Sequence, residues 1–297
     1  MKKSSIITIL ILSVIVAKSE AQTFSASEDS SLFGYLNQLE PQITNAFGMN
    51  ACVPTSSINA MTYLQNMDPL TFGTNLTGLT YTDWINADLN LGSNYFGTTS
   101  STGTPNNVVQ SGLQNYFSDL GFTNVQINAQ INTETRTSYG NILDNFPSIN
   151  FFESALSASN PIIFGFASGA IGHELLATGL SWNSISGSGT LDFIDPQYAS
   201  TGNSRNGPAL VSTGYISLVS TNIPFVDGSG LITSITNSLY ISYDSPSYGT
   251  SGGYINSAIL FTVNSGSTGA VPEPSTYALF GIGAIGMLMV MRRKKTA

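Results

Sequence analysis

Apolar residues recur at helical spacing in the first half of the chain, and the texture then changes. Leu32, Tyr35, Leu36 and Leu39 lie three and four residues apart, which predicts a helix closed by Pro41. Ile58, Met61, Tyr63 and Leu64 predict a second helix over 53–66. A third spans Pro105 to Leu120, with Val108, Val109, Leu113, Tyr116, Phe117 and Leu120 on one side and Gly121 ending it. Phe151 to Ser157 forms a short fourth. From Ile162 onward, β-branched runs alternate with Gly, Ser and Asn. Ile162–Phe166, Leu191–Ile194, Tyr215–Val219, Leu239–Tyr243 and Ile259–Val263 read as strands. The Ser/Thr/Gly/Asn-rich stretches 92–104, 183–190 and 264–270 read as loops, the last a linker. Helices first and strands later predict an α+β fold.

Two apolar runs do not fit a globular core. Residues 1–21 start with Lys2-Lys3, continue through an apolar stretch from Ile6 to Ala17 and end in Ser19-Glu20-Ala21. That is the layout of a secretory signal peptide removed by signal peptidase near Ala21. At the other end, Pro272-Glu273-Pro274 precedes an apolar run over 277–291 and the cluster Arg292-Arg293-Lys294-Lys295. The run predicts a short transmembrane helix with its basic tail in the cytoplasm. Pro-Glu-Pro, apolar helix and basic tail in that order, over 271–297, resemble the PEP-CTERM sorting signal of Gram-negative bacteria. The resemblance implies an exosortase-type membrane protease as partner. It also implies an inner-membrane-anchored precursor released to the cell surface or exterior, often in species that export polysaccharide. The domains expected are therefore 1–21, 22–270 and 271–297.

Charge narrows what the middle can do. Seven of the nine basic residues lie in the two ends, so residues 22–270 hold Arg136 and Arg205 against fifteen acids, a net of −13. Such a surface repels phosphate backbones and excludes nucleic acid as a partner. One Cys excludes an internal disulfide, and one Cys with one His excludes a Cys/His zinc site. No metal or other cofactor is expected.

The single Cys and the single His carry the candidate chemistry. Cys52 precedes the second helix, with Pro54 acceptable in its first turn. Unpaired N–H groups and the helix dipole at that end favour a thiolate. His173 follows the strand 162–166, and Asp195 ends the strand 191–194 before Pro196. Pairing 173–180 with 190–195 about residue 184 would bring His173 and Asp195 to one end of a hairpin, a base beside a carboxylate. Read singly, Cys52 also fits a small buried apolar residue, His173 a structural histidine and Asp195 a turn-initiating Asp-Pro.

A helix-starting Cys, a Gly-His opening a strand and a strand ending in Asp-Pro together resemble the papain-like cysteine peptidases. The nearest group removes double-glycine leaders from exported peptides. Pro105–Tyr116, Phe152–Leu156 and Asn160–Ile163 extend the resemblance over about 40–200, leaving 201–263 as an extra β segment. It implies that the Cys helix packs on a mainly antiparallel sheet, with Cys52 as nucleophile, His173 as base and Asp195 as orienter. Val53 stands where the family has Gly, and Ala46 where it has the oxyanion Gln. Gln42 and Asn45 are the nearby amides, and Gln42 is the candidate donor.

Two readings stay open. One is an exported cysteine peptidase acting on peptide substrates. The other is a non-catalytic surface or matrix protein on a degenerate peptidase fold, associated with exopolysaccharide. Fifteen acids also permit a glycosidase pair, but no spacing singles one out.

Overall fold

A computed structural model describes residues 23–131, 142–143, 146–168, 171–198, 208–224, 234–245 and 249–263. Residues 1–22 and 264–297, with the expected signal peptide, linker and membrane segment, lie outside them. Among the described residues no helix is long and apolar enough to cross a membrane.

The second half of the chain closes a barrel. Its strands are β4 (Ile162–Ser168), β5 (Ile171–Asn183), β6 (Ser188–Ile194), β7 (Val211–Pro224), β8 (Ser234–Ser245) and β9 (Gly249–Val263). Each pairs antiparallel with the next, and β4 pairs with both β5 and β9. The six form a complete ring. Three outlying strands extend it: β1 (Thr23–Ser27) on β5, β2 (Val125–Ile131) on β9, and the two-residue β3 (Ile142–Leu143) parallel to β2.

This ring overturns the papain-like α+β expectation. The extra β segment expected over 201–263 supplies β7, β8 and β9, half of the ring. Long antiparallel strands with right-handed twist close when the last can bond the first, which removes unpaired edges.

Alternation along the strands builds two cores. Ile163, Leu176, Ile194, Ile259 and Phe261 face the helices, while Phe164, Leu175, Phe193, Ile241 and Ala258 join a second cluster. Ring contacts bind that second cluster across the barrel: Phe164 to Phe193 at 6.2 Å, and Phe193 to Tyr243 at 5.1 Å. A one-residue period reversal in any strand would exchange the two cores.

The helical layer centres on α2 (Cys52–Met67), which packs against β5 and β4 and is buried from Val53 to Gln65. A helix buried all round must satisfy its own polar side chains. Ser57 and Thr62 bond back to the carbonyls of Val53 and Ile58. Thr55 donates to Asp88 Oδ2 at 2.7 Å, and Asn59 takes both the N–H and the C=O of Leu36, at 2.8 and 3.1 Å. Around it lie α1 (Pro41–Phe47), α3 (Pro69–Phe72), α4 (Tyr81–Asn90) and α5 (Asn106–Asp119), while α6 (Ile149–Ser157) packs on β1, β5 and β4 and buries Phe152, Ala155 and Leu156 in the second cluster. Beyond α5, Gly121 has φ +86°, and Phe122 N and Gly121 N bond the carbonyls of Phe117 and Ser118, a Schellman ending.

Two expected elements differ. Residues 33–37 are not helical. Their backbone is held at Leu36 by the Asn59 side chain, and Pro41 opens α1 instead of closing a helix. The stretch 92–104, read as loop, begins with a π-helical turn over Leu91–Phe96. There Gly92 admits the Phe47 ring, which a Cβ would meet at 2.6 Å.

Candidate functional site

Cys52 is the first residue of α2, and the sequence leaves that end electropositive. Ala51 offers no side-chain cap, Pro54 has no N–H, and the first bond closing onto the helix is Thr55 N to Ala51 O. The N–H groups of Cys52 and Val53 therefore have no partner inside the helix. Cys52 is half-buried and is the chain's free thiol.

β4 and β5 deliver His173, which pairs with Phe166 in their register. A bulge between Ala177 and Gly179 shifts β5 against β6, so Leu176 faces Ile194 and Asp195 follows at the strand end. His173 Nε2 and Asp195 Oδ1 are 2.8 Å apart, both residues buried. Asp195 Oδ1 also accepts from Gln197 N at 2.9 Å, an Asx turn that Asp195 begins with Pro196 in its second position. The other side of the imidazole hydrogen-bonds Cys52. With Nε2 given to Asp195, that bond falls to Nδ1. Burial alone would lower the His173 pKa, but the hydrogen bonds and charges of Asp195 and Cys52 outweigh it and push it up to about 10. The ring is thus cationic at neutral pH.

Cys52 and His173 line a cleft of about 370 Å³. The turn Ser101–Thr104 contributes to its wall, with Asn50 Nδ2 donating to Ser100 O at 2.7 Å. Glu174, Gly165 and Asn256 come from the barrel. Among the described residues no three His, Cys, Asp or Glu side chains gather as a metal site.

The expected residues thus fall into three groups. Cys52, His173 and Asp195 are joined by hydrogen bonds. Gln42, the expected oxyanion donor, is exposed on α1 with Asn45 and Ala46 and is absent from the cleft lining, because α1 buries Ile43 and Phe47 instead. Pro272, Glu273 and Pro274 lie outside the described residues.

Three further residues belong to the site. Asn50 lines the cleft and spends one of two amide hydrogens on Ser100. Gln38 bonds Met49 O through Nε2 at 3.0 Å and Pro196 O through its backbone N–H at 2.9 Å. It ties the Asp195 turn to the loop before Cys52. Glu174, beside His173, was readable only as one acid among fifteen.

Residues 270–294 match the PEP-CTERM protein-sorting motif. The protein is exported and sorted by an exosortase. Its destination is the cell surface. No curated protein matches the chain.

Proposed function

We propose that the exported domain is a cysteine hydrolase of peptide bonds, with Cys52 as nucleophile, His173 as acid and base, and Asp195 as orienter. The supporting observation is the hydrogen-bonded row Cys52–His173–Asp195, whose first two members line an open cleft. The thiolate attacks the carbonyl carbon, and the carbonyl electron pair moves to oxygen as the C–S bond forms. Two donors are at hand for that oxyanion: the Cys52 N–H at the uncapped helix end and the second amide hydrogen of Asn50. The imidazolium then protonates the leaving amine as the C–N bond breaks. Water, deprotonated by His173, attacks the thioester and releases the acid and the thiolate.

Iodoacetamide should label Cys52 rapidly below pH 7, and Cys52→Ala should abolish cleavage of a peptide library. Slow labelling with no cleavage would leave a non-catalytic surface protein. Before processing, the 277–291 segment holds the precursor in the inner membrane, and cleavage falls near Pro272-Glu273-Pro274. Mass spectrometry of the exported protein should find no peptide reaching Ala297. An intact C-terminus in cells that possess an exosortase would sink the processing step.

A further inference from the structure

Glu174 is 5% exposed and follows His173 on β5, yet it lines the same cleft. Its Oε1 has no hydrogen-bond partner among the described residues, and its Oε2 meets only Ser257 Oγ, at 3.5 Å. That is the outer limit of a hydrogen bond, and Ser257 Oγ already accepts from Gly165 N at 3.0 Å. A buried acceptor without a donor costs about 1–3 kcal/mol and calls for a physical account.

Space is kept for this carboxyl. Gly165 is its register partner on β4, and a Cβ there would stand 2.5 Å from Glu174 Oε2 and 2.4 Å from Ser257 Oγ. Asn256 Oδ1, on the same cleft wall, would be 3.2 Å from that Cβ. Two acceptors therefore converge on a glycine-floored recess beside the nucleophile. The described residues contain neither Lys nor Arg, so none of them supplies an ammonium or guanidinium to it.

We infer that Glu174, with Asn256 Oδ1, forms a subsite for a cationic group of the substrate, an ammonium or guanidinium on a side chain next to the scissile bond. The inference rests on the hydrolase reading for the word substrate, but the recess and its chemistry do not. Burial pushes the Glu174 pKa up to about 8, against the opposing charge of His173 and the Ser257 bond. An entering cation supplies a donor and a compensating charge to these acceptors. A planar guanidinium can serve both acceptors at once.

The test uses exported Cys52→Ala protein, which separates binding from cleavage. N-acetyl-arginine amide and N-acetyl-norleucine amide are titrated calorimetrically. The cationic amide should bind at least about ten-fold more tightly, and Glu174→Gln should bring the ratio close to one. Equal binding of the two amides to the Cys52→Ala protein overturns the subsite, and it does so even if Glu174→Gln fails to fold. In unsubstituted protein, peptides with Lys or Arg at one position should dominate cleavage. Cleavage with no such preference overturns the subsite and keeps the hydrolase. A binding preference without any cleavage supports the subsite and overturns the hydrolase.

Discussion

His173 shows how three side chains set one another's chemistry. Asp195 holds one ring nitrogen at 2.8 Å, and Cys52 bonds the other. Because Asp195 is among the groups that raise the His173 pKa to about 10, Asp195→Asn should lower it. The imidazolium is the acid for the leaving amine, so kcat/KM should fall above the His173 pKa. In Asp195→Asn that alkaline limb should move down by about one pH unit or more. The plateau should drop about 10²–10⁴-fold as the ring loses its orientation. A pH–rate profile checks both effects, and an unmoved limb would exclude Asp195 from the coupling. Cys52, His173 and Asp195 were legible in the sequence because the first two are unique and each sits at an element boundary. Glu174 was not. Its meaning depends on Gly165 and Ser257, which only strand pairing brings to it.

Among the elements, the segment 33–40 behaves least like its sequence. Its apolar residues have helical spacing, yet the backbone is held by side chains: Asn59 on Leu36, Tyr81 Oη donating to Glu40 while Asn37 N donates to it. Period alone cannot distinguish a helix from an extended strap whose apolar side chains meet a buried helix, because the deciding partner, Asn59, lies 23 residues away. The expectation for α2 fared better, since its whole length is buried and its pattern is read locally. Asn59→Ala should orphan the N–H and C=O of Leu36 at about 1–3 kcal/mol each, although the residue change favours helix. Denaturant unfolding should show a lower midpoint with an unchanged slope. A loss below about 1 kcal/mol would mean that the strap does not depend on this clamp. Gly34 sits where a Cβ would come 2.6 Å from Asn59 Oδ1, so Gly34→Ala should strain the same contact from the other side.

At the scale of the whole molecule, closure of the barrel and burial of acids are coupled to pH. Helices first and strands later were readable from texture, but ring closure was not. It depends on β4 bonding β9 across about ninety residues, which no local pattern encodes. The closed barrel and its helical layer bury carboxyls that have few donors. Burial raises the pKa of Asp88, on α4 against Thr55, to about 8, and does the same for Glu28 and Glu174. In the unfolded chain these acids ionise near 4. Between about pH 4 and pH 8 the folded state therefore holds protons that the unfolded state has released. Stability is full below the unfolded pKa and is lost as pH rises through the folded value. His173 acts in the same direction at higher pH: its folded pKa of about 10 exceeds the ordinary 6.5, so its contribution fades between those values. The melting temperature should accordingly be highest near pH 4–5 and decline steadily to pH 9. Asp88→Asn keeps an acceptor for Thr55 and removes one titrating group, so its decline should be shallower, with the gain over the parent largest at pH 8 and above. Calorimetric scans of both proteins across that range decide the matter. Parallel curves would mean that Asp88 ionises in the folded protein as it does in the unfolded chain.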